Sequence, residues 1–290
     1  MNDFDTPDAL ANALLAEGHV VDEGLATALY LTADLGLPLL IEGEPGVGKT
    51  STATALSRAL GARLHRLQCY EGIGSHEALY EWNYQRQLLA IRLAESSGAA
   101  IGEDDLFGER YLEERPLLAS LRHTGAVPPV LLIDEIDRAD DEFEALLLEF
   151  LGEGAITIPE LHTVRAAGPM VVVLTSNRTR ELHDAVRRRC LYHWIEFPSP
   201  DRVAAILRLR VPGSSADLVE VIGRGVARIR ELDLDKAPGM AEAIDWLRVL
   251  TALDVDYRDS ATVGSTLGAI AKTPDDLAAV RRALLEGVLA

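Results

Sequence analysis

At 290 residues, 48% of them apolar, the chain can bury a full core and form one large domain or a large and a small one. Its formal net charge of −18 repels polyphosphate backbones at long range, which argues against a broad nucleic-acid-binding surface. The two cysteines, Cys69 and Cys190, lack zinc-ligand or disulfide-scaffold spacing, "MNDFDTPDAL" is no signal peptide, and no window is apolar enough to span a membrane, so the expected compartment is the cytoplasm.

In chain order, "LPLLIE" (Leu37 to Glu42) predicts a strand and "TATALSRAL" a helix, with "GEPGVGKTS" between them. Gly43-x-x-x-x-Gly48-Lys49-Thr50 is a complete Walker A pattern in the strand-to-helix setting that its mechanism needs. Glycines let the backbone of Gly43, Glu44, Pro45, Gly46, Val47 and Gly48 wrap closely, and the helix starting near Lys49, Thr50 and Ser51 adds the positive end of its dipole. Such a loop binds ATP through main-chain amides, with Lys49 on the β- and γ-phosphates and the Thr50 hydroxyl on Mg²⁺. "RLHRLQ" (Arg63 to Gln68) predicts the next strand, and "ESSGAAIGEDD" an exposed loop or insertion tip.

"VLLID" (Val130 to Asp134) predicts a buried strand carrying Asp134 and Glu135 at its carboxyl end, which in a parallel sheet faces the ligand crevice. Asp134 is placed to hold Mg²⁺ through water and Glu135 to polarise an attacking water; two solubilising acids at a loop are the plainer alternative. Phe143, Leu146, Leu147, Phe150 and Leu151 then mark an amphipathic helix closed by Gly152, and "ITIPELHTV" predicts a short hairpin. "MVVVLTS" (Met170 to Ser176) is the fourth strand, with Asn177 at its tip either orienting the water or serving as a turn residue. Arg187 to Arg189 form a basic run at a helix end, where a solvated face complementing the helix dipole is one reading. "LYHWIEF" (Leu191 to Phe197) is the fifth strand; beyond it "ADLVEVIGRGVARIREL", "MAEAIDWLRVLTAL" and "PDDLAAVRRALLEGVL" predict helices alone.

The expected fold class is therefore α/β: a P-loop NTPase αβα sandwich with a five-stranded, mostly parallel sheet over residues 1–198, followed by a small all-helical lid over residues 199–290. A P-loop kinase for a small metabolite, a nucleic-acid-associated motor and a non-hydrolysing switch are the rival functions; the acidic pair, Asn177 and the helical second domain weigh against the kinase.

In this order, "GEPGVGKT", "LLIDEID", "LTSN" and "AVRRRC" resemble the AAA+ ATPases. "LLIDEIDRADDEFEALLLEFL" followed by "ITIPELHTV" resembles the MoxR branch, which carries a β-hairpin before the asparagine strand. "LQCYEG", "ALYEWNYQRQLL", "TSNRTRELHDAVRRRCLYHWIEFP" and "PGMAEAIDWLRVL" are similar to the CoxD-type proteins associated with maturation of molybdenum hydroxylases such as carbon monoxide dehydrogenase. The resemblance implies a ring, usually a hexamer, with nucleotide between subunits and an arginine supplied by the neighbour. Arg189 best matches that arginine, with Arg188 second, and Arg138 is either another intersubunit contact or a surface salt bridge. It further implies a chaperone-like ATPase acting on a protein client, here a molybdenum hydroxylase, through a von Willebrand A-domain adaptor. One departure is that "APGMAEA" places Glu242 where many members carry a lid arginine. Val20 and Val21 stand at the family's adenine pocket or are plain core, and Tyr80, Trp82 and Tyr84 either face a client or pack as an aromatic cluster.

Overall fold

The computed structural model of the protein describes residues 4–97, 102–158 and 162–289. The chain divides into two compact units: one of Met1–Ala13, Val21–Glu42 and Thr50–Trp194, the other of Leu14–Val20, Gly43–Lys49 and Ile195–Ala290. It begins with α1 (Pro7–Ala16), α2 (Glu23–Leu35), β1 (Leu39–Gly43), α3 (Lys49–Ala59) and β2 (Leu64–Gln68). The short α4 (Ser75–Leu79) and β3 (Tyr80–Trp82) lead into α5 (Tyr84–Ser97), then α6 (Glu103–Leu106), β4 (Leu112–Glu114) and α7 (Pro116–Leu121). After them come β5 (Val130–Asp134), α8 (Asp141–Glu153), β6 (Ala155–Thr157), β7 (Thr163–Arg165), β8 (Val171–Ser176), α9 (Asp184–Arg187) and β9 (Leu191–Ile195).

The five predicted strands outside the hairpin form one five-stranded sheet, in the order β2-β5-β8-β1-β9. The pairs β1/β8, β5/β8 and β2/β5 are parallel, with Leu40 opposite Leu174, Leu132 opposite Val173 and Gln68 opposite Asp134. Every residue of β1, β5 and β8 is buried, as expected of strands covered on both faces and rich in Val, Leu and Ile. The strand order reverses at β1, so the turn leaving it opens at the topological switch point, where α/β sheets bind ligands.

Helix α8 starts because the Asp140 side chain accepts the Phe143 N–H at 2.9 Å, and it buries Phe143, Leu147 and Phe150 along one stripe. Burial of each contributes about 1.5–3 kcal/mol. The helix runs through Gly152 and ends at Gly154, whose φ of 59° and N–H to the Phe150 carbonyl form the left-handed stop. The expected stop at Gly152 is corrected: at that residue the backbone is still helical. The predicted hairpin is the antiparallel pair β6/β7, with Ile156 opposite Val164 and residues 159–161 outside the described range. The predicted loop "ESSGAAIGEDD" is shorter than expected: Glu95 to Ser97 end α5 and Glu103 opens α6, while residues 98–101 lie outside the described range.

In the second unit, α10 (Pro200–Arg210), α11 (Ala216–Arg230), α12 (Met240–Ala252), α13 (Ser260–Ser265) and α14 (Pro274–Leu285) surround their own core. Leu218, Ile222, Val226 and Ile229 bury one face of α11 against it. Trp246 is fully buried, with its indole N–H donating to the Thr266 hydroxyl at 2.9 Å, so the ring's one polar group is satisfied. Among the described residues no helix is long and apolar enough to cross a membrane.

Candidate functional site

The phosphate-loop motif closes between the end of β1 and the start of α3. Gly46 and Gly48 have φ of 80° and 100°, a region that only glycine enters without strain. Gly43 is required for another reason: an added Cβ would stand 2.5 Å from the Ile195 carbonyl oxygen. Glu44, Pro45 and Gly46 are exposed, Val47 is buried, and Ser51 is exposed on the first turn of α3. Lys49 is buried, and its ammonium donates to the Gly43 and Glu44 carbonyls, both at 2.8 Å. The loop thus holds its own cation close beneath its backbone.

In the other unit, Thr50, Asp134, Glu135 and Asn177 come together. Asp134 is 1% exposed. Its Oδ1 accepts the Thr175 hydroxyl at 2.6 Å and the Thr50 hydroxyl at 2.9 Å; its Oδ2 accepts Arg66 Nη2 at 2.7 Å and Nε at 3.1 Å. A threonine hydroxyl and a carboxylate at this separation are hard oxygen donors of the kind Mg²⁺ takes, usually with waters completing its shell, so the residues fit that ion.

Glu135 follows in a left-handed conformation, φ 54° and ψ 49°, which costs a non-glycine residue about 1–3 kcal/mol. Its N–H donates to the Thr175 hydroxyl at 2.9 Å. Its carboxylate accepts Gln68 Nε2 at 3.1 Å, pairs with Arg138 Nε at 2.9 Å and meets Asn177 Nδ2 at 3.4 Å, the outer edge of hydrogen-bond reach. Of the two readings of Arg138, the ion pair is present, and its partner is Glu135.

The tip of β8 is anchored by Asp137. This buried carboxylate accepts the Asn177 N–H at 3.1 Å, the Thr179 N–H at 2.9 Å and the Thr179 hydroxyl at 2.7 Å. Burial pushes its pKa up, but these hydrogen bonds to the charged form outweigh burial and hold it below the usual carboxylate range. Arg178 is also left-handed, φ 57°, with its guanidinium 3.6 Å from the buried Glu42 carboxylate and over the Trp194 ring. The Cys69 thiol beside this cluster is pushed up to about 12, chiefly by burial and then by Asp134, so it stays protonated.

Arg189 is exposed just past α9; its guanidinium donates to the Ala185 carbonyl at 2.8 Å and lies beside Gly152. Arg188 is exposed too, loosely paired with Asp184 at 3.9 Å. Tyr80 and Trp82 pack edge to face in the core, as the aromatic-cluster reading requires, whereas Tyr84 departs from it at 62% exposure. Val20 and Val21 are half-buried, and the Val20 carbonyl accepts Arg202 Nη2 at 3.1 Å.

Within the helical unit, Glu242 caps α12 by accepting the Gly239 N–H at 3.0 Å. The arginine that this unit brings to the phosphate loop is Arg230. It pairs with Glu44, donates to the Pro238 carbonyl at 2.6 Å and stacks 3.8 Å over Phe197. Beside it Gly46 and Gly239 pack backbone to backbone, and the Met240 N–H donates to the Gly46 carbonyl at 2.9 Å.

Sequence reasoning did not single out Arg66, Gln68, Thr175, Asp137, Glu42 or Arg230. A signal existed for Arg66 and Gln68: they stand two apart on β2 with the apolar Leu67 between them, which sends both to the same face of the strand. No comparable signal marked Arg230, because arginine in a last helical turn ordinarily complements the dipole.

Fold and site together define an α/β phosphate-loop domain followed by a helical region. The AAA domain of the dynein-related subfamily matches residues 38–190, more than half of the chain, and the chain belongs to that family. It is 27% identical over 165 residues to the uncharacterized protein YeaC of Bacillus subtilis, covering 57% of this chain and 37% of that one. It is 31% identical over 121 residues to the Lon protease of Nitrosococcus oceani, covering 39% of this chain and 12% of the protease. The chain thus spans much less than two thirds of either relative. A point mutant of RuvB from Thermotoga maritima shares the fold at a TM-score of 0.50 and 18% identity, covering 94% of this chain and 73% of that one.

Proposed function

We propose that the chain is an ATPase of the MoxR branch, CoxD-like, that binds Mg·ATP and hydrolyses it at the boundaries between subunits of a ring, a hexamer by resemblance. Residues 1–198 act as the nucleotide-binding domain and residues 199–290 as its lid. The observation that carries this reading is the Thr50 hydroxyl on the Asp134 carboxylate at 2.9 Å, with Glu135 next in the chain and Asn177 against it.

Main-chain amides of the Gly43–Thr50 loop cradle the phosphates, and Lys49 turns from its loop carbonyls to the β- and γ-phosphate oxygens. Mg²⁺ neutralises part of the phosphate charge when bound, held by Thr50 and, through water, by Asp134. Glu135 and Asn177 orient the attacking water, and Glu135 draws its proton. Arg189 of a neighbouring subunit neutralises charge that spreads over the γ-phosphoryl oxygens. The work is done on a protein client in the cytoplasm, by resemblance a molybdenum hydroxylase reached through a von Willebrand A-domain adaptor.

The test compares Glu135→Gln with the natural chain. Binding of ATP with magnesium should be retained while hydrolysis falls by about 10²–10⁴-fold, the usual weight of a positioned base. Unchanged turnover removes Glu135 from the chemistry and this mechanism with it.

A further inference from the structure

We propose that Arg66 is a built-in counter-ion for Asp134, which a divalent cation must displace, so that this arginine sets the Mg²⁺ concentration at which the site loads. The inference rests on the Mg·ATP reading above and goes beyond it by assigning a role to a residue on β2.

An ionised carboxylate offers about four lone-pair positions. Those of Asp134 are taken up by the Thr50 and Thr175 hydroxyls and by two nitrogens of Arg66, so no acceptor is left over for a cation's water shell. Two guanidinium nitrogens converge on the single oxygen Oδ2, Nε at 3.1 Å and Nη2 at 2.7 Å. The two partners differ sharply in burial: the Asp134 side chain is 2% exposed and that of Arg66 is 51% exposed. The acid is therefore fixed, whereas the arginine has water on one side into which it can swing, from a strand at the edge of the sheet. A half-exposed guanidinium can be exchanged for a small dication that concentrates twice the charge on the same oxygen.

The exchange reaches Glu135. Arg66 Nη2 also donates to Gln68 Oε1 at 2.7 Å, and Gln68 Nε2 donates to Glu135 Oε2 at 3.1 Å. Removing Arg66 from Asp134 takes away the donor that orients the Gln68 amide, and so loosens one of the groups holding Glu135.

The experiment titrates Mg²⁺ against a fixed concentration of N-methylanthraniloyl-ATP, followed by fluorescence, for the natural chain, Arg66→Gln and Arg66→Lys. With no cation to displace, Arg66→Gln should reach half-saturation at about tenfold less Mg²⁺, the scale of one charge-assisted hydrogen bond. Arg66→Lys keeps the charge but not the two nitrogens on one oxygen, and its midpoint should fall below that of the natural chain by less than that of Arg66→Gln does; it carries the test alone if Arg66→Gln does not fold. A purely structural ion pair predicts the opposite sign, because loosening Asp134 would weaken cation binding. An unchanged or raised midpoint in a folded variant overturns the proposal. Failure of the natural chain to bind the probe at any Mg²⁺ concentration strikes the nucleotide reading instead.

Discussion

Gly239→Ala probes the backbone packing against the phosphate loop with a single carbon. The residue has φ −90° and ψ −174°, ordinary extended backbone, so alanine brings no conformational strain of its own. Its Cβ would stand 2.7 Å from the Gly46 Cα and 3.0 Å from the Gly46 oxygen. Carbon atoms rest at about 3.5–4.0 Å, so the two segments must part by about 1 Å. Overpacking of this kind costs about 1–3 kcal/mol. The separation also stretches the 2.9 Å bond from the Met240 N–H to the Gly46 carbonyl, worth about 1 kcal/mol net. The sum is about 2–4 kcal/mol. If the helical unit yields, urea unfolding followed by tryptophan fluorescence loses that amount. If Gly46 yields, affinity for an ATP analogue falls by roughly thirtyfold or more, at about 1.4 kcal/mol per factor of ten. Gly264→Ala, within α13, is the control: its Cβ would stand in ordinary contact with Leu284 Cδ2 of α14 at 3.9 Å, and it should stabilise by up to about 1 kcal/mol. Should Gly239→Ala leave stability within about 0.5 kcal/mol and affinity within about twofold of the natural chain, the close packing of Gly46 and Gly239 is refuted.

Two more expectations follow from other parts of the molecule. If the proposed trans-acting role holds, Arg189→Ala should leave ATP binding within a few-fold and lower hydrolysis by about 10³-fold, the low end for an arginine supplied in trans; equal hydrolysis at equal protein concentration removes Arg189 from the proposed mechanism. His19 is held down at about 4 by burial, then by Arg202 and Arg210, against 6.5 in the unfolded chain. The unfolded state therefore binds the extra proton between these values, and the stabilisation present above pH 6.5 is lost as pH falls towards 4. By pH 5 the natural chain should have lost about 2 kcal/mol more than His19→Gln, read from urea midpoints at pH 5 and pH 7.5; parallel pH profiles would refute it.

The strands, the loop and the Asn177 tip are legible in the sequence because each is written in a contiguous stretch. Apolar runs such as "VLLID" define a strand buried on both faces, and the Walker A spacing puts glycine where the loop needs positive φ. The helix stop was displaced because Gly152 and Gly154 are equivalent as letters; the choice falls on the one whose N–H reaches the Phe150 carbonyl. Glu242 was visible as a departure, but its role as a cap for the Gly239 N–H depends on where α12 begins.

By itself, then, the sequence determined the five strands of the main sheet, the hairpin, the helices α3, α8, α11, α12 and α14, and that a phosphate loop, two acids and a strand-tip asparagine occur in that order, whereas β3, β4 and the short helices around them carry no comparable periodic pattern. Only the tertiary structure decided which donors those acids keep. Gln68 lies opposite Asp134 through the parallel register of β2 on β5, and Arg66 reaches the same carboxylate from two residues back. A slip of one residue would turn both side chains to the other face, and no local pattern fixes that register across the residues between the strands. Arg230 on Glu44 has the same cause: a side chain at a helix end acquires its partner only when packing brings a distant loop within hydrogen-bond reach.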